Sequence, residues 1–281
     1  MIRFIFSVCW FFVLTTPATA ATLRLSAPWE QGTAVFLQVE GLAPGSQPTG
    51  TINDTPFPIT PEGLALIALD MEEAPGPKTI RVHLTRPDGH TETLTQEIMV
   101  NKRHYEEEAI TLPKGRASAP DPKVEERALR ETNAIKATYR LRDGQVGFSQ
   151  GFQQPITGRF SGVFGSRRII NGIPKRPHNG VDIAAPRGTP VPAVAAGLVA
   201  LVGKDYFFTG NTIVIHHGHG VISLYAHLDT IAVAQGEWIN QGHIIGKVGT
   251  TGRSTGPHLH WGMMVRGLRV DPMRLPGVRQ E

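Results

Sequence analysis

"GPHLHWGMMVRG", residues 256–267, decides how the C-terminal half of this chain is read. A β-strand sends alternate side chains to opposite faces, so His258 and His260 share one face while Leu259 points to the other. An apolar residue between two histidines anchors such a strand in a core and presents both rings to one cavity. The preceding loop, Gly252 to Pro257, carries glycines that permit close approach of a substrate. Spacing alone does not say whether one or both histidines bind a metal.

Working outward, the runs GLVALVG (197–203), NTIVIHHG (211–218), VISLYAHL (221–228) and HIIGKVG (243–249) alternate or are continuously apolar, with glycine-containing turns between them. They predict a compact antiparallel β domain over residues 158–275, long enough to bury its own core. Upstream, residues 21–100 hold short apolar runs such as AVFLQVEG (34–41) and TIRVHLT (79–85), separated by turn formers. This pattern predicts a small β-sandwich, immunoglobulin-like. Residues 101–157 read as a proline- and charge-rich linker followed by a helix that starts near Asp121 and Pro122 and ends before Gly144. Val124, Ala128, Ile135 and Tyr139 give that helix one apolar stripe, expected to pack as a strut between domains. The fold class expected is therefore mainly β, a sandwich and a linking helix preceding a C-terminal antiparallel sheet.

The other half of the chemistry lies in "HNGVD", residues 178–182. In an extended strand His178 and Asp182 would stand about 13 Å apart, too far to share one ion. Asn179-Gly180 is a turn signal that lets the chain bend and bring them together. A plain histidine–aspartate hydrogen bond explains the pair equally well. In "SLYAHL" (223–228), period two places Ser223, Tyr225 and His227 on one surface, with a polar outer sheet face as the alternative. The "HHGHG" cluster (216–220) lies at a strand end in a glycine turn, so His216, His217 and His219 are expected as exposed turn residues.

Taken together, "HNGVD", "YAHL" and "GPHLH", in that order, resemble the lysostaphin-like zinc endopeptidases of bacterial peptidoglycan. The resemblance extends over about residues 158–275, through Phe164-Gly165-Ser166-Arg167, Asp182-Ile183-Ala184-Ala185-Pro186 and Gly246-Lys247-Val248-Gly249. It implies a Zn2+ held by His178, Asp182 and His260, with His227 and His258 as catalytic histidines. It also implies hydrolysis of a peptide bond in the peptidoglycan stem or crosslink during cell-wall remodelling. Tyr225 is a weaker candidate for holding substrate, with aromatic packing as the alternative. A competing class is a non-catalytic wall-binding or regulatory module that activates other hydrolases; the intact histidine and aspartate set argues against it. A carbohydrate-binding β protein would explain the strands but not the histidines.

Composition bounds the setting. The chain begins MIRFIFSVCWFFVLTTPATA, with Arg3, an apolar run from Phe4 to Leu14 and Ala18-Thr19-Ala20. It reads as a signal peptide over residues 1–20, too short for the roughly twenty apolar residues that span a bilayer. Export to a periplasm or cell envelope without stable membrane insertion is expected. Cys9 is the one cysteine, so a thiolate metal site is excluded from the mature chain and any metal must be held by His, Asp and Glu. A net charge of +4 among 28 basic and 24 acidic side chains does not mark a nucleic-acid binder. The N-terminal domain carries no chemical cluster, and a regulatory protein partner for it is one expectation.

Overall fold

The computed structural model describes residues 20–26, 28–110, 122–142, 144–170 and 172–278. The signal peptide expected at 1–20 falls, except for Ala20, outside them.

Two antiparallel sheets form the first unit among the described residues. Strands Thr22–Leu25, Ala34–Glu40 and Leu64–Ala68 make one, and Thr55–Pro58, Gln47–Ile52, Gly76–Thr85 and Thr91–Val100 the other, in those spatial orders. Alternation places Val35, Leu37, Val39, Ala65 and Ile67 of the first against Phe57, Ile80, Val82 and Leu84 of the second, all buried. The fourth strand pairs with the third, so the sandwich departs from the constant-type immunoglobulin arrangement, which keeps that strand in the first sheet.

The second unit is a ten-stranded sheet whose main path runs Trp238–Ile239, Gly197–Tyr206, Gly210–His216, Val221–Ile231, His258–Val265, Gly180–Ala184 and Arg159–Gly162. One face carries Val181, Ile183, Ile213, Ile215, Tyr225, Leu259, Trp261 and Met263. These residues share a core with Ala34, Leu66, Ala68 and Met71 of the sandwich, so the two units are packed together rather than loosely tethered. Charged contacts ring that core: Arg269 pairs with Asp70 and Glu72, Arg103 with Asp271, and Arg274 with Glu30. Strand Glu107–Ile110, from the stretch read as linker, pairs parallel with Arg167–Ile170.

The helix α1, Pro122–Thr138, begins on a proline whose missing N–H costs nothing at that position and carries Glu125 in its first turn, where the helix dipole favours an anion. It is not a strut. Ile135, with Tyr139 just beyond the helix end, packs on Val214, Ile222, Leu224 and Ala226, which belong to the opposite face of the large sheet. The apolar stripe found a sheet surface to cover, the part formed by Val214, Ile222, Leu224 and Ala226. The part that stays open holds the clustered histidines.

Candidate metal centre

Strand pairing assembles the open part. Asp182 lies directly opposite His260, Ala184 opposite His258, and Ala226 opposite His260 on its other side. Residues that pair directly share a face, so the carboxylate and both imidazoles of "HLH" rise from the same surface. His178 lies just before strand Gly180–Ala184, and its side chain reaches the Asp182 carboxylate.

The donor atoms converge. His178 Nε2 lies 3.1 Å from His260 Nδ1 and 3.3 Å from Asp182 Oδ1, and His260 Nδ1 lies 2.8 Å from the same oxygen. Ligands about 2.0–2.1 Å from a tetrahedral ion stand roughly 3.3 Å from each other, so this triangle has the size of one face of a four-coordinate site. Two neutral nitrogens and one carboxylate also suit such an ion and leave its fourth position open. Space is made for them by glycine: a Cβ at Gly162 would sit 2.4 Å from Asp182 Oδ2, and one at Gly180 2.9 Å from the His260 ring.

Protonation follows the same plan. Burial alone would raise the Asp182 carboxyl, but the hydrogen bonds of His178 and His260 outweigh it and hold the group well below the ordinary carboxylate range. Burial pushes His260 down, against the pull of Asp182, which keeps the ring neutral and able to donate a lone pair. The His178 ring is oriented by Val163: Nδ1–H donates to that carbonyl at 3.1 Å, which turns Nε2 inward.

That carbonyl belongs to a turn held by the sandwich. Gly165 N–H donates to His178 O and His178 N–H to Ser166 O, at 2.8 and 2.9 Å. Between them Phe164 is 3% exposed, its ring edge-on to Tyr105 at 6.1 Å and under the Arg103 guanidinium at 5.8 Å. A Cβ at Gly32 would meet the Phe164 ring at 2.7 Å, so this ring touches sandwich backbone.

His227 and His258 stand beside the triad, their ring centroids 4.6 Å apart. His227 Nδ1–H donates to Thr251 O and His258 Nδ1–H to Gly256 O, each at 2.8 Å. A carbonyl only accepts, so in both rings the proton is on Nδ1 and Nε2 is left for the cleft. Burial, opposed by the Thr251 bond and reinforced by His258 and His260, pushes His227 down to about 4, so it is neutral near pH 7.

The shared face expected for Ser223, Tyr225 and His227 is not found. Tyr225 pairs with Ile213 and Leu228 with Asn211, so two residues, Ala226 and His227, stand where one would. This is a β-bulge, and His227 sits in it with φ 61°, a left-handed conformation that costs a non-glycine residue roughly 1–2 kcal/mol. The bulge turns His227 to the face of His260 and leaves Tyr225 on the core side. Tyr225 is therefore corrected as a substrate contact: it is fully buried, its hydroxyl accepting from Val194 N–H at 3.0 Å and sharing a hydrogen bond with Ser223 Oγ. The cleft, a cavity of 750 Å³, is lined by Ser161, Arg176 and Phe208, which the sequence reading passed over, together with Asn179 and with Arg253 and Ser254 of the loop expected to approach substrate. Two adjacent phenylalanines in a hairpin turn, Phe207 and Phe208, were the available signal, since Phe208 is left 43% exposed at the rim.

The "HHGHG" reading is corrected in part: His219 does sit in the turn, half-buried at φ 50°. His216 and His217 are buried, because strand Gly210–His216 continues between two neighbours to its last residue. His217 Nδ1–H donates to Ala196 O at 2.7 Å and its Nε2 lies 2.8 Å from Ser223 Oγ. Burial, opposed by the Ala196 bond, pushes this imidazole down to about 4. The folded pKa is then below the unfolded value of about 6.5, and the unfolded chain takes up a proton that the folded one refuses. Its contribution is complete above about pH 6.5 and declines by roughly 3 kcal/mol as pH falls toward 4. Thermal melts at pH 7 and 4.5 should show a smaller drop for His217→Gln than for wild type; equal drops would contradict this.

Comparison with known proteins gives a consistent pattern. The model of peptidase family M23 matches residues 176–272. A crystal structure of a peptidase M23 from Pseudomonas aeruginosa aligns with a TM-score of 0.66 at 30% identity, covering 89% of this chain and 95% of that one. DD-carboxypeptidase/endopeptidase Mpg of Neisseria meningitidis serogroup B is 45% identical over 115 residues, 41% of this chain and 26% of Mpg. Peptidoglycan DD-endopeptidase ShyA of Vibrio cholerae is 42% identical over 147 residues, 48% of this chain and 34% of ShyA. The chain thus matches between 26% and 34% of the length of these two curated relatives.

Proposed function

Because the chain belongs to peptidase family M23, we propose that it is a zinc-dependent endopeptidase that hydrolyses peptide crosslinks of bacterial peptidoglycan, acting outside the cytoplasm in wall remodelling. The observation that carries this reading is the convergence of His178, Asp182 and His260 within 3.3 Å of one another, beside two further imidazoles whose Nε2 atoms are free for the same cleft. The names of Mpg and ShyA favour a DD-endopeptidase specificity.

Zinc bound by the triad supplies Lewis acidity toward a water and the scissile carbonyl. The remaining steps belong to the chain. Nε2 of His227, whose ring Thr251 holds, and Nε2 of His258, whose ring Gly256 holds, face the cleft as proton acceptors; the ring that takes the proton of the attacking water then becomes a donor toward the negative charge that develops on the carbonyl oxygen. The backbone bonds on both Nδ1 atoms hold the rings ready, so little reorganisation accompanies the reaction. Phe208 and the loop carrying Arg253 and Ser254 wall the cleft and position the peptide. The regulatory alternative fits less well, since a module that only binds has no use for a complete donor set. Export rests on the apolar leader; among the described residues no helix is long and apolar enough to cross a membrane.

Digestion of purified wall sacculi, followed by mass spectrometry of the released fragments, tests the reading. Crosslinked fragments should be converted to uncrosslinked ones, chelation should stop the conversion, and zinc should restore it. Intact crosslinks after treatment with protein carrying one zinc per chain would sink it.

A further inference from the structure

The cleft does not end at the metal centre. A second cavity of 200 Å³ runs from His260 and Thr209 under α1, along Ile135, Lys136 and Tyr139. A third, of 770 Å³, continues past the helix end, lined by Lys136, Arg140, Arg142, Arg176, Arg269 and Glu72. Arg176 and Asn179 line all three, so they form one trough.

The far end of this trough is unbalanced in charge. Among the described residues Glu72 is the one acid on its wall, and Arg167 and Arg269 already bind it. Arg269 is further engaged by Asp70, and Arg142 donates to Tyr139 O and Leu141 O in the segment just past the helix end. Those roles account for two of the cations. Lys136, Arg140 and Arg176 are exposed and face the trough, and among the described residues no further acid on its wall pairs with them. Of the acids of α1, Glu126 pairs with Arg130 and Glu131 with Arg127, and Glu125 lies in the first turn, about three turns from Lys136. Unbalanced cations along a concave wall raise the local concentration of anionic ligands and orient them.

We propose that this end of the trough is a carboxylate-binding subsite in which Lys136, Arg140 and Arg176 hold free carboxylates of the substrate peptide on one side of the scissile bond. The proposal rests on the peptidase reading and adds to it a sense of direction: α1 forms one wall of the peptide channel, and the acidic portion of the peptide lies toward the helix end. A peptide segment bearing free carboxylates fits this wall, whereas one with amidated carboxyls would lose the charged contacts and keep the rest.

The test uses soluble peptides released from sacculi, fluorescently labelled, with free carboxyls and after carbodiimide amidation. Binding is measured at low salt with the full chain carrying His227→Ala, so that turnover does not interfere, with and without Lys136→Gln plus Arg140→Gln. The free form should bind about tenfold tighter than the amidated one, and the double substitution should bring the two within about twofold. Both replaced residues are surface positions on or just after the helix, and unchanged zinc content and melting temperature establish that the fold is kept. Equal affinity for the two forms, or a preference that survives the double substitution, overturns the subsite. If crosslinks are cleaved by the wild-type chain in that case, the subsite alone fails; if neither form binds and no crosslink is cleaved, the peptidase reading fails with it.

Discussion

His260→Ala should leave the chain without metal and without activity, whereas His227→Ala should keep about one zinc per chain and lose a hundredfold or more in rate. The difference follows from position. His260 Nδ1 sits between Asp182 Oδ1 at 2.8 Å and His178 Nε2 at 3.1 Å, so its removal breaks the donor triangle and leaves an anionic carboxylate facing one imidazole. The His227 ring centroid lies 6.3 Å from that of His260, and the hydrogen bond that fixes the ring is with Thr251. It can act on what the metal holds without helping to hold the metal. His178→Ala and Asp182→Ala should behave like His260→Ala, and His258→Ala like His227→Ala. Metal per chain and rate, measured on each folded variant, decide the matter: a zinc-free His227→Ala or a fully loaded His260→Ala would overturn the division of roles.

Phe164→Ala should cost roughly 3–5 kcal/mol and lower the melting temperature by roughly 10 °C, although the residue touches no ligand atom. Its ring fills the space between Gly32, Tyr105 and Arg103, so truncation opens a cavity where the sandwich meets the catalytic sheet. The same turn supplies Val163 O to His178 Nδ1. Loosening it should weaken zinc binding by about 10- to 100-fold, the usual loss when the group orienting a ligand is disturbed. Phe164→Leu should restore most of both. Chelator competition on the folded variant is the critical measurement, and wild-type zinc affinity in Phe164→Ala would show that the turn does not position His178. On this account the sandwich, whose core merges with that of the large sheet, would support the turn that orients His178 toward a metal.

Much of this was legible in the chain. His258-Leu259-His260 reads directly as two rings on one face, because alternation along a strand depends only on local geometry, and the strand is there. His178 and Asp182 do meet, as "HNGVD" allowed, but without the Asn179-Gly180 turn: residues 175–179 are irregular, Gly180 already begins the strand, and His178 is held by backbone bonds to Gly165 and Ser166. The same local logic failed at Tyr225 and His227. Period two assigns them one face, but the extra residue at Ala226-His227 is set by the pairing of Val221–Ile231 with Gly210–His216, and neither sequence contains a glycine there to signal a positive φ. The "HHGHG" histidines misled for a related reason. A histidine near glycines looks exposed, and what buries His217 is the Ala196 carbonyl and Ser223 hydroxyl, supplied by segments remote from the turn. The stripe on α1 was visible as well, but a stripe records that a helix face must be covered and not by what. Its partner is the site face of the large sheet, and the basic trough between them exists only in the folded chain. Periodicity and turn chemistry are properties of neighbouring residues and survive in the sequence; register shifts, polar burial and grooves arise from which distant segments meet, and only the tertiary structure determines that.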